Sequence, residues 1–224
     1  MGSSTVAKTV IQCDFDGTIT VEDQSFLLLD AFASGDWRQL LKEYRGGKIS
    51  VGHFNTKAFA MVKEDEQTLV NFVRKTAKIR SGFPELLAYC RRDDIRFTIV
   101  SNGLDFYIST ILTDIGLENI EVFAAKARFA PTGMEVSYTG PDGTHLDSDF
   151  KETYIRSFLT HGYRVVYVGN GLSDISAAKY AHHIFARDEL LSFCKQAKLN
   201  FTPFVDFNDV VRGLKLLEDS ISKD

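Results

Sequence analysis

Apolar residues follow two different spacings along this chain, and the spacings predict strands and helices in alternation. Short continuous apolar runs predict buried strands at residues 8–14, 95–100, 120–125, 164–168 and 183–186. A turn at Pro131-Thr132-Gly133 predicts a hairpin over residues 128–138. Helical spacing predicts further helices at residues 79–94, 104–116, 150–161, 174–180, 190–197 and 207–221. This alternation indicates an α/β fold with a doubly wound parallel sheet, which binds ligands at the carboxyl ends of its strands.

A second unit is predicted between the first two strands, where the pattern is helical throughout. Its four expected helices lie around residues 26–32, 37–44, 50–61 and 69–73. Gly46-Gly47 interrupts the chain, and Ser50 is placed to cap the third helix. We therefore expect a small all-helical domain of residues 20–78, inserted into an α/β core of residues 1–19 and 79–224.

Length and composition fit such a globular chain and argue against several classes of partner. The 224 residues suffice for one large α/β domain with a small second unit. A net charge of −4 gives no reason to expect nucleic acid or an anionic membrane, and no apolar run is long enough to span a bilayer. Cys13, Cys90 and Cys194 have neither metal-binding nor disulfide spacing. We expect a cytoplasmic protein.

Two carboxylates follow the first predicted strand, two residues apart. Asp14 and Asp16 point roughly the same way there, since strand side chains alternate with a period of two. Like charges held this close are unfavourable unless a cation lies between them or the site performs chemistry. One aspartate can attack phosphorus and form an aspartyl-phosphate, and the other can transfer the proton. By itself the segment also fits a charged turn.

The segment Asp14-Phe15-Asp16-Gly17-Thr18 resembles motif I of the haloacid dehalogenase-like phosphatases. The further parts of that family's pattern follow in order: Ser101 ends a second apolar strand, Lys151 opens a helix, and residues 168–174 form a late acidic loop. The resemblance implies a Rossmann-like core, with the helical unit as a type 1 cap that closes over the site. It also implies a Mg²⁺-dependent phosphomonoesterase that acts on a small phosphorylated metabolite.

The family pattern further implies a role for each of these residues. Asp14 is expected as the nucleophile and Asp16 as the general acid and base, with Lys151 offsetting the charge of the carboxylates and phosphate. The residues expected to hold the phosphoryl oxygens are Thr18, Ser101, Asn102, Gly103 and Lys151. Lys126 is the alternative to Lys151, because only the order of the motifs distinguishes the two lysines.

The late loop departs from the family pattern at one position. The pattern is Gly-Asp-x-x-x-Asp, and Asn170 replaces the first Asp while Asp174 is retained. The implied Mg²⁺ ligands are therefore Asp14, Asp16, Asn170 and Asp174, the last acting directly or through water. Because an amide oxygen carries no charge, we expect weaker Mg²⁺ binding with the chemistry retained.

The helical unit resembles that of the phosphoserine phosphatase-like branch of the family. Phosphoserine phosphatases use a cap Glu and a cap Arg, whereas this chain has Asp23 and approximately Ala58 at those positions, so the amino-acid clamp is incomplete. Three segments, at residues 16–20, 77–83 and 185–191, are similar instead to the methionine-salvage 2-hydroxy-3-keto-5-methylthiopentenyl-1-phosphate phosphatases.

The substrate contacts and three alternative activities stay open from the sequence. Asp23 and His53 are the candidate substrate contacts in the helical unit. The alternatives to the expected hydrolase are a phosphoserine phosphatase, a phosphotransferase that passes the phosphoryl group to an alcohol, and a non-catalytic binder of a phosphorylated metabolite. Asn170 favours the non-catalytic binder, whereas the retained carboxylates and Lys151 oppose it.

Overall fold

A single sheet runs through the molecule. The computed structural model describes residues 8–221. The strands in this range are β1 (Thr9–Cys13), β2 (Arg96–Leu104), β3 (Glu121–Ala130), β4 (Gly133–Thr139), β5 (His145–Leu146), β6 (Arg164–Gly169), β7 (His183–Ala186) and β8 (Phe201–Pro203). They pair in the order β5-β4-β3-β2-β1-β6-β7-β8. Neighbouring strands in the row β3-β2-β1-β6-β7-β8 are parallel. Strands β4 and β5 add an antiparallel extension beside β3 at one edge.

Helices flank this sheet. Within the described residues they are α1 (Gln24–Phe32), α2 (Trp37–Arg45), α3 (Val51–Phe59), α4 (Glu66–Thr76), α5 (Phe83–Arg92), α6 (Asp105–Asp114), α7 (Phe150–Thr160), α8 (Ile175–Ala178), α9 (Asp188–Ala197) and α10 (Phe207–Ile221). A 3₁₀ turn, Leu172–Asp174, precedes α8. None of the helices in this part of the chain is long and apolar enough to cross a bilayer. The mostly parallel, doubly wound architecture confirms the predicted fold class.

The strand order reverses at β1, which lies between β2 and β6. Cys13 pairs with Ile99 of β2 on one side and with Val168 of β6 on the other. The last four residues of β1 are buried, as expected for a central parallel strand covered on both faces. Open α/β sheets bind ligands in the crevice at such a reversal. Asp14 and Asp16 follow β1 directly into this crevice.

Helices α1 to α4 form a helical insert, residues 24–76, between β1 and α5. Its two connections to the sheet lie side by side, since Thr20 and Ile79 form an antiparallel bridge. Each of the four helices begins at a side chain that accepts a backbone N–H, as N-capping requires. These capping residues are Asp23, Asp36, Ser50 and Asp65. The prediction of four helices here is confirmed, and so is the capping role of Ser50.

The helical insert also packs against the hairpin of β3 and β4. The backbone N–H of Met134 donates to the carbonyl oxygen of Val62 over 3.1 Å. Gly133 has a φ of +129°, and a Cβ at this position would overlap the carbonyl oxygen of Ala60. Only glycine combines this backbone conformation with so close an approach. The hairpin therefore fixes the insert on a side away from its two connections.

The structure corrects several predicted element bounds. Strand β2 continues to Leu104 instead of ending at Val100, with a register shift between Ser101 and Leu104. The predicted strand at residues 120–125 and the first strand of the predicted hairpin at residues 128–138 form the single strand β3, and the second strand of the hairpin is β4, so the hairpin itself is confirmed. The predicted helix over residues 174–180 is divided into the 3₁₀ turn and α8. Strands β5 and β8 were missed because two and three residues are too few to show an alternating pattern.

Candidate active site

Lys151 lies between two buried carboxylates. Its ammonium donates to Oδ1 of Asp14 and to Oδ1 of Asp174, each over 2.6 Å, and reaches the hydroxyl of Ser173 at 3.3 Å. The Lys151 side chain is 2% exposed. Its backbone carbonyl accepts the side-chain N–H of Gln12 over 2.9 Å, which ties the start of α7 to β1. The structure thus brings together three of the residues that the motifs singled out.

Burial governs the electrostatics of this cluster. Burial, followed by the nearby charge of Asp174, raises the pKa of Asp14 to about 7, although Lys151 opposes the shift. Burial disfavours the charged form of Lys151, but Asp14 and Asp174 outweigh it and raise the pKa of the ammonium above its ordinary range. A lysine between two carboxylates therefore stays charged. It supplies a fixed positive charge beside the free oxygen of Asp14.

Asp16 is held by two donors from two different elements. Its Oδ1 accepts the backbone N–H of Gln24 over 2.9 Å, and its Oδ2 accepts the hydroxyl of Tyr107. Burial, followed by the charge of Asp23, raises the pKa of Asp16 to about 8. A carboxyl group with a pKa in this range suits general acid chemistry near neutral pH. Burial also raises the pKa of Asp23 to about 6.

Asp174 does not occupy the place expected of a direct metal ligand. Its carboxylate is fully buried and does not line the cavity. Oδ2 accepts the backbone N–H groups of Asn170 and Gly171 at 2.9 and 2.8 Å, and Oδ1 accepts from Lys151 and from the hydroxyl of Tyr167. With both oxygens engaged, Asp174 organises the loop and holds Lys151. The described contacts of this acid are therefore with Lys151, Tyr167 and the late loop itself.

Asn170, the departure from the family pattern, faces the cavity. Its amide oxygen accepts the hydroxyl of Thr18 over 3.0 Å. Its amide nitrogen lies against Gly17, where a Cβ would overlap it. Gly17 also has a φ of +72°, so glycine is required there for two reasons. The loop after β1 and the loop after β6 are thus fitted together through this one side chain.

The expected phosphate-binding segment lies at the end of β2. Ser101, Asn102 and Gly103 all line the cavity. The amide N–H of Gly103 donates to the hydroxyl of Ser101 over 3.0 Å, within the register shift between Ser101 and Leu104 at the end of β2. The side-chain oxygen of Asn102 is buried and makes no hydrogen bond to the described residues.

A cavity of about 430 Å³ opens beside these residues. The helical insert contributes a mainly apolar wall to it, formed by Phe26, Leu41, Tyr44, Val51 and Phe54. Among the lining residues described, the insert supplies one cation, Arg45, which lies 3.6 Å from Glu189 of α9. Ala58, the approximate position of the second clamp residue, is fully buried in the core. Position 58 therefore supplies no charged group to the cavity.

Two candidate residues lie away from the cavity. His53 is exposed on α3 and is not among the lining residues, so the structure does not support it as a substrate contact. Asp23, the other candidate, does line the cavity. The rival lysine, Lys126, is 68% exposed and pairs with Asp105 at the surface. A helical spacing places His53 on the exposed face of α3 but does not indicate whether that face meets the cavity.

Two residues at the site were missed from the sequence. Arg80 is 7% exposed, and its guanidinium donates to the carbonyl oxygens of Gly17 and Thr18, each over 2.8 Å. It therefore braces the loop that carries Asp14 and Asp16. Tyr107 contacts Asp16 from α6. Arg80 lies in the segment of residues 77–83 already noted for its resemblance, but that segment did not indicate what Arg80 contacts. Tyr107 has no sequence signal of its own, since an isolated Tyr is usually surface or core.

The donor atoms at the cavity suit a hard divalent cation. Asp14 and Asn170, whose side chains carry oxygen donors, both line this cavity. Oxygen donors of this kind fit Mg²⁺, which also retains water and phosphate ligands. No group of three or more His, Cys, Asp or Glu in the described part of the chain forms a complete metal site. A cation here would therefore combine the Asp14 carboxylate with amide, carbonyl, water and phosphate oxygens.

Comparisons with known proteins agree with this site. The family described as haloacid dehalogenase-like hydrolase matches residues 11–179. A 2-hydroxy-3-keto-5-methylthiopentenyl-1-phosphate phosphatase from Brevibacillus brevis is 30% identical over 220 residues, which is 96% of this chain and 98% of the relative. The protein of the same name from Geobacillus kaustophilus is 31% identical over 216 residues, or 93% and 96% of the two chains.

Solved structures show the same fold. A phosphoserine phosphatase in the form of a phospho-aspartyl intermediate analogue has a TM-score of 0.70 at 17% identity, covering 92% of this chain and 99% of its own. A substrate-bound phosphoserine phosphatase has a TM-score of 0.69 at 17% identity, covering 92% and 98%. The resemblance seen in the motifs is thereby confirmed. The chain belongs to the haloacid dehalogenase-like hydrolases, among the phosphatases of that family.

Proposed function

We propose that this chain is a Mg²⁺-dependent phosphomonoester hydrolase that works through an aspartyl-phosphate on Asp14. The observation that carries the proposal is the Asp14–Lys151–Asp174 cluster at the end of the central strand. It leaves one oxygen of a buried carboxylate free beside the cavity and a lysine permanently charged next to it.

In the first step, the free oxygen of Asp14 attacks phosphorus and the bond between phosphorus and the ester oxygen breaks. Asp16 gives its proton to the departing oxygen, so that the product leaves as an alcohol. Lys151 faces the charge that accumulates on the phosphoryl oxygens, and Ser101 lines the same cavity. Thr18 is buried outside the cavity lining, and its hydroxyl contacts Asp14.

In the second step, Asp16 takes a proton from water, and the resulting hydroxide attacks the phosphorus of the aspartyl-phosphate. The bond between phosphorus and Asp14 breaks, which releases phosphate and restores the carboxylate. The two steps return Asp14 and Asp16 to their starting states. Water is the only reactant that the reaction needs besides the phosphate ester.

Mg²⁺ fits the proposed site and would supply charge neutralisation for the phosphoryl group. We assign its protein ligands to the carboxylate of Asp14, the backbone carbonyl of Asp16 and the amide oxygen of Asn170. Asp174 is assigned to holding Lys151 and the late loop, because its oxygens are already engaged. We therefore do not assign Asp174 as a direct Mg²⁺ ligand.

We further propose that residues 20–78 act as a type 1 cap and that the substrate has a neutral, apolar end. The apolar wall of the cavity and the paired Arg45 favour such a group over the charged end of phosphoserine. The methylthio group named in the relatives' substrate, 2-hydroxy-3-keto-5-methylthiopentenyl-1-phosphate, has this character. The buried free thiols also suit a reducing compartment, and we propose the cytoplasm.

Phosphate release from p-nitrophenyl phosphate, with Mg²⁺ and with EDTA, tests the reaction. We expect Mg²⁺-dependent turnover that is lost in Asp14→Asn and in Lys151→Met. Lys126→Met is the matched control, since it removes an exposed lysine with the same change, and it should keep full activity. Absence of turnover in both the native chain and Asn170→Asp would contradict hydrolysis and favour a binder.

A substrate panel tests the proposed specificity. We expect kcat/KM for 2-hydroxy-3-keto-5-methylthiopentenyl-1-phosphate to exceed that for phosphoserine by about tenfold or more, because burying an apolar group of that size contributes roughly 1.5–3 kcal/mol. Phe54→Ala should reduce this preference. A preference for phosphoserine in the native chain would show that the apolar wall does not select the substrate.

A further inference from the structure

We propose that Tyr107 is a positioning residue for Asp16, and that its hydroxyl, together with Ser25 of the helical insert, fixes the carboxyl group that serves the leaving oxygen. The inference rests on the proposed hydrolase and adds a residue that the catalytic motifs do not contain. It concerns the orientation of the general acid, and Tyr107 itself does not contact the substrate.

The geometry of the hydroxyl chain carries the proposal. Tyr107 is completely buried on α6, and its hydroxyl donates to Oδ2 of Asp16. The hydroxyl of Ser25, near the start of α1, lies 2.8 Å from that of Tyr107. Gln24, the preceding residue, donates its backbone N–H to the other oxygen of Asp16 over 2.9 Å. The Asp16 carboxyl group therefore accepts hydrogen bonds from two elements, α6 of the core and α1 of the insert.

The position of Tyr107 is rigid. Its ring packs against Phe106 with ring centroids 5.5 Å apart, and against Phe15 at 6.4 Å. Gly103 leaves the space through which the hydroxyl reaches Asp16, because a Cβ at Gly103 would overlap both the hydroxyl and Oδ2. Rigid side chains that hold a reactive group contribute to rate by keeping it in its productive orientation.

The contact with Asp16 is more than a means of satisfying a buried hydroxyl. Ser25 already gives the Tyr107 hydroxyl a partner, so burial alone does not require the carboxylate. Either hydroxyl of the Ser25–Tyr107 pair can be the donor. The Tyr107 hydroxyl can therefore donate a hydrogen bond to Asp16 or accept one from it. This keeps the Asp16 carboxyl group in place both before and after Asp16 gives up its proton.

Two phosphate esters that differ in their leaving groups separate positioning from a general structural role. p-Nitrophenolate is a weak base and departs with little help from an acid, whereas phenolate is more basic and needs it. We expect Tyr107→Phe to lower kcat/KM for phenyl phosphate by roughly 10- to 100-fold, a share of what general acid catalysis contributes. For p-nitrophenyl phosphate we expect a loss below about threefold, since that reaction uses the acid less.

The controls make the test specific. Tyr154→Phe removes a buried hydroxyl that donates to the Thr139 carbonyl, away from the carboxylates, and should change neither value. Ser25→Ala keeps Tyr107 and should lower kcat/KM by less than Tyr107→Phe does. Its loss should again be larger for phenyl phosphate than for p-nitrophenyl phosphate. In an Asp16→Asn background, Tyr107→Phe should cause no further loss, because the group it positions is already absent.

The outcomes distinguish this inference from the proposed function. Equal losses on both esters, no loss on either, or an undiminished effect in the Asp16→Asn background would overturn the role of Tyr107. Failure of the native chain to hydrolyse either ester, or full activity in Asp14→Asn, would instead contradict the hydrolase itself. Thermal melts show whether each variant is folded. If Tyr107→Phe does not fold, the test rests on Ser25→Ala, whose kcat/KM should fall more for phenyl phosphate than for p-nitrophenyl phosphate.

Discussion

The hydroxyl of Thr18 donates to the amide oxygen of Asn170 across 3.0 Å, joining the loop after β1 to the loop after β6. The same amide packs over Gly17, which has no side chain to obstruct it. Asn170 is therefore a well-placed neutral oxygen at the position where the family pattern has a carboxylate. Its geometry fits a cation ligand, while its missing charge weakens the attraction.

Asn170→Asp should tighten Mg²⁺ binding. A carboxylate near a divalent cation adds attraction of roughly 4 kcal/mol per charge pair at 4 Å and an effective dielectric constant of 20, part of which is offset by the neighbouring acids. We expect the Mg²⁺ dissociation constant to fall by about tenfold or more, measured by titration calorimetry. Asn170→Ser is the matched neutral control and should not tighten binding. An unchanged Mg²⁺ affinity in Asn170→Asp would remove Asn170 from the ligand set.

Asp16→Asn should raise the melting temperature of the metal-free protein at pH 7.5. Because burial and Asp23 raise the pKa of Asp16 from 3.8 to about 8, the unfolded chain loses this proton at lower pH than the folded chain. Asp16 therefore reduces stability as pH rises above 3.8, and the neutral amide avoids this cost. The gain should shrink as pH falls and disappear below pH 3.8, where both states hold the proton.

The size of this gain follows from the length of the chain. For a domain of 150–250 residues, each 1 kcal/mol moves the melting temperature by about 2–4 °C, so we expect a rise of several degrees. Asp147→Asn is the control, since its side chain is 96% exposed and its change should be close to zero. If Asp16→Asn in EDTA melts at a lower temperature than the native chain at pH 7.5, Asp16 does not reduce the free energy of unfolding as assigned here.

Arg80→Met should destabilise the fold and impair the site together. The change leaves the buried carbonyl oxygens of Gly17 and Thr18 without their donor, which costs roughly 2–4 kcal/mol in the free energy of unfolding. Arg80→Lys keeps the charge but lacks the forked donors, so it should also lose activity, by about tenfold. Arg91→Met, on an exposed side chain, is the control. Native stability and turnover in Arg80→Met would show that the loop does not need this brace.

His183 should make the protein less stable as pH falls below about 6.5. Burial, followed by the positive charge of Arg164, lowers the pKa of His183, whose ring accepts or donates to Thr202 at 2.9 Å. The unfolded chain then binds a proton that the folded chain does not, so stability decreases with decreasing pH in this window. The effect one pH unit below 6.5 is at most about 1.4 kcal/mol.

Denaturant unfolding at pH 7.5 and 5.5 measures this effect. His183→Gln cannot take up the proton, so the change in its free energy of unfolding from pH 7.5 to 5.5 should be more favourable than the change for the native chain, in which other groups titrate as well. His161→Gln replaces an exposed histidine and should behave like the native chain. Identical pH dependence in the native chain and His183→Gln would assign the loss of stability to other groups.

The sequence by itself determined the fold class and the central residues of the site. Continuous apolar runs separated by helical segments indicated the parallel sheet, because strands buried on both faces have no polar side. The period of two placed Asp14 and Asp16 at one strand end. The order of Ser101, Lys151 and the late loop then indicated the family. These features are local or depend only on order along the chain, so no packing information was required.

Only the tertiary structure decided how the remaining side chains are used. Tyr107 lies 91 positions from Asp16, and its contact depends on how α6 packs on the sheet. Asp174 matched a metal-binding pattern, yet its oxygens are consumed by Lys151, Tyr167 and two loop amides. His53 faces away from the cavity for the same kind of reason. Such contacts arise when separate elements meet, and spacing within one element does not specify them.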